Sequence, residues 1–136
     1  MVKMAMIYEG NLRCRLTHGP SGSEIVTDAP VDNMGKGEAF SPTDLLAAAL
    51  GSCMLTVMGI AAQKNHVDLK GTTVHVEKEM VTAPVRRIGK VAVVFKMAKG
   101  VDPAKRPLLE QAALSCPVHK SLSQDVETPT RFEYPD

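Results

Sequence analysis

An uncharged stretch at residues 45–62 constrains the fold of this chain more than any other feature. It follows Ser41, a favoured N-cap residue, and Pro42, which suits the first helical position. Asp44 falls in the first turn, where a carboxylate meets the positive end of the helix dipole. We therefore predict one long helix over residues 41–65. Because a helix that is apolar on every side must be buried, this segment lies in a protein core or in a membrane.

The composition of the uncharged stretch favours a protein core over a membrane. Its length reaches that of a spanning helix. However, it contains Gly51, Ser52, Thr56 and Gly59 together with many weakly hydrophobic alanines. Its flanks also lack the Lys/Arg asymmetry and the aromatic belt that orient a membrane span. We therefore predict the buried central helix of a protein core, and no membrane partner.

Length, charge and cysteine content restrict the class of protein. The 136 residues suggest a single domain, residues 1–136. Sixteen basic and fifteen acidic residues give a net charge of +1, and tryptophan is absent, so neither charge nor stacking surface favours nucleic acid. Three cysteines do not make a disulfide framework, and the N-terminus lacks the apolar region of a secretory signal. We expect a cytoplasmic protein without a nucleic-acid partner.

The remaining chain shows alternating and turn-rich segments typical of short strands. One subunit has too little sheet to cover a helix that is apolar on all sides, so a homodimer with paired central helices is expected. The predicted class is α+β, with antiparallel sheets wrapped around the helix. The predicted strands are 2–8, 11–18, 24–28, 72–81, 86–98 and 126–134, the second helix is 102–115, a third helical piece follows Pro117, and 29–40 forms a mobile loop.

The cysteines are the candidate reactive groups. Cys116 precedes Pro117 and so takes the N-cap or first position of a helix, where a thiolate is stabilised and the pKa lowered. Cys53 lies in the middle of its helix and gains nothing from a helix end. Spacing does not say whether the two meet, and Cys53 as a small buried hydrophobe and Cys116 as a simple cap remain open. Cys14 is expected to face the core from a strand.

A histidine three residues after Cys116 adds two further interpretations. His119 is a candidate group for polarising the Cys116 thiol, or an ordinary helical residue. Cys53, Cys116 and His119 also form a conceivable zinc set, but such sites need three or four donors, and the chain has no C-x-x-C pair. Phosphate-binding and dinucleotide-binding glycine patterns are missing. We therefore predict neither a metal nor another cofactor.

Two motifs carry a resemblance to a known family. SPTDLLAAALGSC at 41–53 and CPVHKSL at 116–122 resemble the OsmC/Ohr family of thiol-dependent peroxidases, and the chain looks like a member of its OsmC-like branch. The resemblance runs in order and spacing over almost the whole chain. It implies an OsmC-like fold, in which two subunits intertwine, the cysteine-bearing helices pack at the centre and sheets from both subunits wrap around them.

The resemblance also implies a reaction. Cys53 matches the peroxidatic cysteine, which attacks the O–O bond of an organic hydroperoxide and becomes a sulfenic acid. Cys116 matches the resolving cysteine, which condenses with it to a disulfide. A dithiol of the lipoyl type then reduces that disulfide. The implied partners are thus a small organic hydroperoxide, a lipoyl-type dithiol and a second copy of the chain.

The chain departs from the family pattern at the groups that activate the thiol. The family peroxidases have a glutamate ten residues before the peroxidatic cysteine, which holds an arginine from an early turn. Here Thr43 stands at that position with Asp44 beside it, and the early turn has no arginine. Arg13 or Arg15, together with Asp44 or Glu38, are the candidates to replace that pair.

Two functions of different class follow. The first is a thiol-dependent peroxidase that reduces organic hydroperoxides through a Cys53–Cys116 disulfide. The second is a non-catalytic dimer of the same fold that binds a small molecule or senses redox state. Counting free thiols after treatment with an organic hydroperoxide tests the first, which is excluded if three thiols per chain persist. A ligand-dependent thermal shift that is lost in Cys53→Ser, in a protein without peroxidase turnover, would favour the second.

Overall fold

The computed structural model describes residues 1–135, in which six strands and three α-helices form a mixed α+β structure, as predicted. The chain divides into two compact units, Met1–Leu46 and the remainder from Ala47. The single-domain assignment stays a prediction. In chain order the elements are β1 (Met4–Gly10), β2 (Arg13–His18), β3 (Glu24–Asp28), α1 (Pro42–Lys64), β4 (Thr73–Val81), β5 (Arg87–Lys96), α2 (Arg106–Leu114), α3 (Pro117–Ser121) and β6 (Thr130–Glu133).

The first unit is an antiparallel meander, β1-β2-β3, with little core of its own. Every fully buried residue in it is polar: Thr27, Asp28 and Ser41. By contrast, Ile7 and Tyr8 of β1 are 62% and 63% exposed. A three-stranded sheet needs a covered apolar face to be stable, so these side chains require a further surface against them.

The loop between β3 and α1 is tied by backbone hydrogen bonds. The Asp28 N–H donates to the Phe40 carbonyl at 3.1 Å, and the Gly37 N–H donates to the Ala29 carbonyl at 3.2 Å. At Gly35 a Cβ atom would lie 1.7 Å from the Ala29 oxygen, so only glycine fits there. The segment predicted to be mobile is thus a closed loop with defined internal contacts.

The start of α1 follows the sequence prediction. The Ser41 N–H donates to Asp44 Oδ2, and the Asp44 N–H donates to Ser41 Oγ, each at 3.0 Å. This reciprocal pair is a capping box, and it fixes Pro42 as the first helical residue. The predicted helix over 41–65 is therefore confirmed to within one residue at each end.

Burial along α1 is limited to one face within a single chain, which agrees with the expectation that one subunit has too little sheet to cover this helix. Leu50, Met54 and Met58 are fully buried, whereas Ile60 is 49% exposed. Buried positions occupy one face only, so the expected burial on all sides is not reached within one chain. By length and composition the helix could cross a membrane, with a mean hydropathy of 2.0, but core helices of soluble proteins meet the same test.

The second sheet has the order β4-β5-β6, and its last pair corrects a prediction. The pair β4-β5 is antiparallel, as expected, but β6 runs parallel to β5. The chain passes through α2 and α3 before it returns, and such a long connection allows a parallel pairing. Phe95 of β5 is fully buried and stacks on Phe132 of β6, with ring centroids 4.7 Å apart.

Two predicted elements begin four residues later than expected. Residues 126–129 precede β6 rather than belonging to it. The predicted helix over 102–115 begins as a 3-10 turn, Pro103–Lys105, and becomes α-helical only at Arg106. Asp102 caps the turn as expected, since its Oδ1 accepts the Ala104 N–H at 3.0 Å. Pro107 in the first turn of α2 removes one further backbone donor.

Candidate functional site

Cys53 lies at the middle of α1 on the border between its buried and exposed faces. Its thiol is free and half-buried, and it packs against the apolar core. The neighbouring Met54 is fully buried, whereas Ser52 and Thr56 are exposed. Because the residues between 45 and 62 are uncharged, the helix itself supplies no cation to this thiol.

Cys116 caps the short helix α3, as the sequence predicts. Its backbone is extended, with φ −64° and ψ 146°, and its Sγ accepts the His119 N–H at 3.3 Å. Pro117 takes the first helical position, where its missing N–H costs nothing. The side chain is fully buried. Helix capping therefore places this thiol in the apolar core instead of at the surface.

The structure brings Cys53 and Cys116 together. Burial raises the pKa of the Cys116 thiol, and a hydrogen bond and the charge of Cys53 raise it further, against the opposing His119 and Val118 N–H groups. The sequence-based expectation of a lowered Cys116 pKa is thus wrong. The helix end does favour the thiolate, but removal from water disfavours it more.

Two free thiols in contact have a defined chemical capacity. Neither forms a disulfide in this structure. A thiol that stays protonated at neutral pH can donate a hydrogen bond to a neighbouring thiolate. Once the neighbour is oxidised to a sulfenic acid, the same thiol can condense with it to a disulfide. The pair in the second unit therefore suits a two-thiol redox reaction.

His119 contributes through its backbone and through its ring. The backbone N–H binds Cys116 Sγ, whereas ring Nε2 lies 3.0 Å from Thr128 Oγ1. The predicted contact between His119 and the Cys116 thiol is thus made by the main chain and not by the imidazole. Among residues 1–135, no three His, Cys, Asp or Glu side chains are grouped as metal ligands.

Arg13, a candidate activator, is held by two carboxylates within the first unit. It forms an ion pair with Glu38, and its Nη2 lies 3.5 Å from Asp28 Oδ2. The hydrogen bond and charge of Glu38 raise the pKa of Arg13. Asp28 is 1% exposed, and burial by itself would raise its pKa. The hydrogen bond from the Glu38 N–H has the larger effect and lowers the pKa, and the charge of Arg13 lowers it further. One of the predicted substitute pairs, Arg13 with Glu38, is therefore formed.

The other candidate activators have different partners. Arg15 pairs with Glu9 at 3.0 Å and with Glu24 at 3.2 Å on the meander. Asp44 completes the capping box of α1, and Thr43 Oγ1 lies 3.1 Å from Ser41 Oγ. The contacts of Thr43 and Asp44 with Ser41 organise the start of the helix.

Sequence reasoning overlooked two residues that contact the candidate site residues: Asp28, which pairs with Arg13, and Thr128, which contacts His119. Asp28 has a weak signal, because it follows Val26 by two positions in β3 and so shares its face. Thr128 has none, since nothing in the local pattern indicates that its hydroxyl meets a ring nine residues earlier.

Comparisons with known proteins agree with this architecture. Residues 35–131 match the family model of OsmC-like proteins. A crystal structure of a candidate osmotic stress induced and detoxification response protein from Psychrobacter arcticus is 44% identical, with a TM-score of 0.92 over 98% of this chain and 96% of that one. No curated protein matches the sequence.

More distant structures share the fold. The organic hydroperoxide resistance protein OsmC from Legionella pneumophila is 16% identical, with a TM-score of 0.79 over 98% of this chain and 96% of that one. The organic hydroperoxide resistance protein OhrB of Bacillus subtilis is 17% identical, with a TM-score of 0.70 over 98% of each chain.

Proposed function

We propose that this chain, which belongs to the family of OsmC-like proteins, is a thiol-dependent peroxidase that reduces organic hydroperoxides. The observation that carries the proposal is the contact between two free thiols, Cys53 and Cys116. The fold shared with two organic hydroperoxide resistance proteins adds support. The test is consumption of cumene hydroperoxide by the purified protein in the presence of dihydrolipoamide. Turnover equal to that of dihydrolipoamide alone would refute the proposal.

The first step oxidises Cys53. Its thiolate attacks the terminal oxygen of the hydroperoxide, the O–O bond breaks, and the alkoxide leaves as an alcohol after taking a proton. The buried Cys116 thiol, whose pKa is raised by burial, takes no part in this step and keeps its proton for the second. Cys53 is then a sulfenic acid, and the peroxide has been reduced by two electrons.

The second step joins the two sulfurs. Cys116 attacks the Cys53 sulfenic acid, the S–O bond breaks, and hydroxide leaves as water with the proton of the Cys116 thiol. A lipoyl-type dithiol returns two electrons and two protons by thiol–disulfide exchange. Such a cycle suits the cytoplasm, where thiol pools keep cysteines reduced.

The surroundings of Cys53 favour an organic substrate. The thiol packs on an apolar core that includes Leu50 and Met54, and α1 offers it no charged neighbour between residues 45 and 62. Apolar surroundings stabilise the hydrocarbon part of an alkyl hydroperoxide, whereas hydrogen peroxide gains nothing from them. We therefore expect organic hydroperoxides to react faster than hydrogen peroxide.

Arg13 is the best candidate for the cation that a thiolate nucleophile requires. In the family peroxidases a glutamate holds the activating arginine, and here Glu38 and Asp28 hold Arg13. Arg15 is committed to two other carboxylates on the meander. The assignment of Arg13 as activator rests on this likeness of ion pairing.

Replacing Arg13 with glutamine is expected to lower the rate of Cys53 alkylation by iodoacetamide at pH 7 by about tenfold or more. The physical reason is that the proposed activator supplies the positive charge that favours the thiolate, which is the reactive form of the cysteine. The measurement is mass spectrometry of the Cys53 peptide over time.

The control for this substitution is Arg131→Gln, which removes an exposed arginine of β6 that pairs with Glu133. Its alkylation rate should equal that of the unmodified protein. If Cys53 in the Arg13 variant is alkylated as fast as in the unmodified protein, Arg13 is not the activator.

We also propose that the chain functions as a homodimer. The exposed face of α1 carries small and apolar residues at three- and four-residue spacing, namely Ala49, Ser52, Thr56 and Ile60. An open groove of about 350 Å³ runs beside it against β4, lined by Gly51, Leu55, Val74 and Val76 among others. A second copy would cover this face with its own α1 and would also cover the exposed meander.

Ile60→Glu is expected to convert the dimer to monomer at micromolar concentration. Ile60 is 49% exposed in the single chain, and a carboxylate buried between two helices would lack a partner. Sedimentation velocity measures the mass. The matched control is Leu108→Glu, at a position 45% exposed on α2, which should leave the mass unchanged. A monomeric unmodified protein would contradict the dimer.

A further inference from the structure

The helix that carries Cys116 is too short to be stable by itself. Helix α3 has five residues, Pro117–Ser121, and isolated helices of that length do not persist in water. Yet the position of Cys116 Sγ depends on it, because the sulfur accepts a hydrogen bond from the His119 N–H of its first turn. Contacts with the rest of the second unit must hold this turn in place, and the packing of Val118 and Leu122 against the core is one of them.

The ring of His119 supplies a further, polar contact. Its Nε2 lies 3.0 Å from Thr128 Oγ1, a hydrogen bond in which either group can be the donor. One residue therefore joins Cys116, through its backbone, to Thr128, through its side chain.

Thr128 is itself fixed to the second sheet. The residues on either side of it accept backbone hydrogen bonds from β5, with Glu127 O bound by the Val91 N–H at 2.8 Å and Pro129 O by the Val93 N–H at 2.9 Å. The Thr128 carbonyl accepts the Thr130 hydroxyl at 3.0 Å. Its hydroxyl is thus a rigid anchor point next to a helix of marginal stability.

We infer that Thr128 is a positioning residue for the resolving thiol, acting on Cys116 through His119. This inference rests on the proposed function and assigns Thr128 an effect on only the second of its two steps. Thr128 touches neither substrate nor sulfur, so it leaves the attack of Cys53 on the peroxide unaffected. It accelerates the second step, because Cys116 must reach the Cys53 sulfenic acid from a fixed turn.

Thr128→Val, which keeps the shape and removes the hydroxyl, tests the inference. Disulfide formation is expected to slow by about three- to tenfold, the worth of one hydrogen bond, with an unchanged rate of Cys53 oxidation. Rapid mixing with cumene hydroperoxide, followed by quenching with dimedone for sulfenic acid and alkylation for free thiols, measures both steps. Equal slowing of both steps, or of neither, would overturn the inference.

The matched control is Thr73→Val, because Thr73 forms another threonine–histidine contact, with His75 at 3.4 Å on β4. It should leave both steps unchanged, and slowing of the second step to the same extent would overturn the inference. Thr128→Ser retains the hydroxyl and should restore the rate; failure to restore it would count against the hydrogen bond.

A second pair of variants tests the route through His119. His119→Ala removes the same contact from its other end, and it decides the question if Thr128→Val does not fold. In the double variant the two effects should not add, since both remove one interaction. Additive slowing would mean that Thr128 acts by another route.

Diamide separates this inference from the proposed function. It accepts two electrons and two protons from a pair of thiols, so Cys116 must still reach an activated Cys53 sulfur. If the unmodified protein consumes no hydroperoxide, the proposed function fails, but Thr128→Val should still slow disulfide formation with diamide. An unchanged rate with diamide would overturn the role of Thr128 itself.

Discussion

Cys53→Ser is expected to reduce hydroperoxide consumption to the rate measured without protein, a loss of about a thousandfold or more. A serine hydroxyl in the same place on α1 does not ionise near neutral pH, so no nucleophile is left to attack the O–O bond. The measurement is dithiol-dependent turnover of cumene hydroperoxide, with folding verified by circular dichroism. Serine is close to cysteine in size, so the helix should remain intact.

The other two cysteines supply the controls. Cys116→Ser should retain one stoichiometric oxidation, with a sulfenic acid at Cys53 that dimedone traps, because only the resolving step is lost. Cys14→Ser should retain full turnover. If turnover survives in Cys53→Ser but is lost in Cys14→Ser, Cys14 is the nucleophile, and the proposed site is contradicted.

Phe95→Ala is expected to lower the free energy of unfolding by about 3–5 kcal/mol, the largest stability effect that we expect from one substitution. The side chain is fully buried in β5 and stacks on Phe132 at 4.7 Å. Its removal leaves a cavity and also deprives β6 of its packing partner. Urea unfolding at a fixed protein concentration measures the change, since a dimer would make the stability depend on concentration.

The matched control for the core is Leu108→Ala, at a position 45% exposed on α2. Surface truncations of this kind change stability by about 0.5 kcal/mol or less. A loss at Phe95 no larger than the loss at Leu108 would mean that β5 is not the centre of the second unit's core.

The start and length of α1 could be predicted because their causes are local. The cap, the proline and the acidic first turn lie within four residues, Ser41–Asp44, and the capping box forms as expected. Which faces of α1 are covered is not a local property. Composition predicted that one subunit could not cover the whole helix, but only the structure shows which face the single chain covers and that Ile60 is left exposed.

For Cys116, too, the local features could be predicted from the sequence and the non-local ones could not. Its place at the start of α3 follows from Pro117 and is seen in the structure. The direction of its pKa depends on burial and on Cys53, which is 63 positions earlier, and neither can be read from the local sequence. A helix end predicts a lowered pKa, but desolvation dominates here.

The other features that could not be predicted from the sequence depend on pairing between residues far apart in the chain. The parallel course of β6 beside β5 depends on how α2 and α3 cross between them, which strand patterns do not encode. Arg13 and Arg15 look equivalent in the sequence, since both lie on β2. Only the structure shows that Arg13 pairs with Glu38 and Asp28. It also shows that Arg15 pairs with Glu9 and Glu24.

The most direct test of the central claim is a count of free thiols during titration with cumene hydroperoxide, followed by peptide mapping. The proposed cycle predicts that free thiols fall from three to one per chain at one equivalent of oxidant, with a Cys53–Cys116 disulfide and Cys14 still reduced. Three thiols that persist per chain in excess hydroperoxide would contradict the peroxidase and favour the non-catalytic dimer.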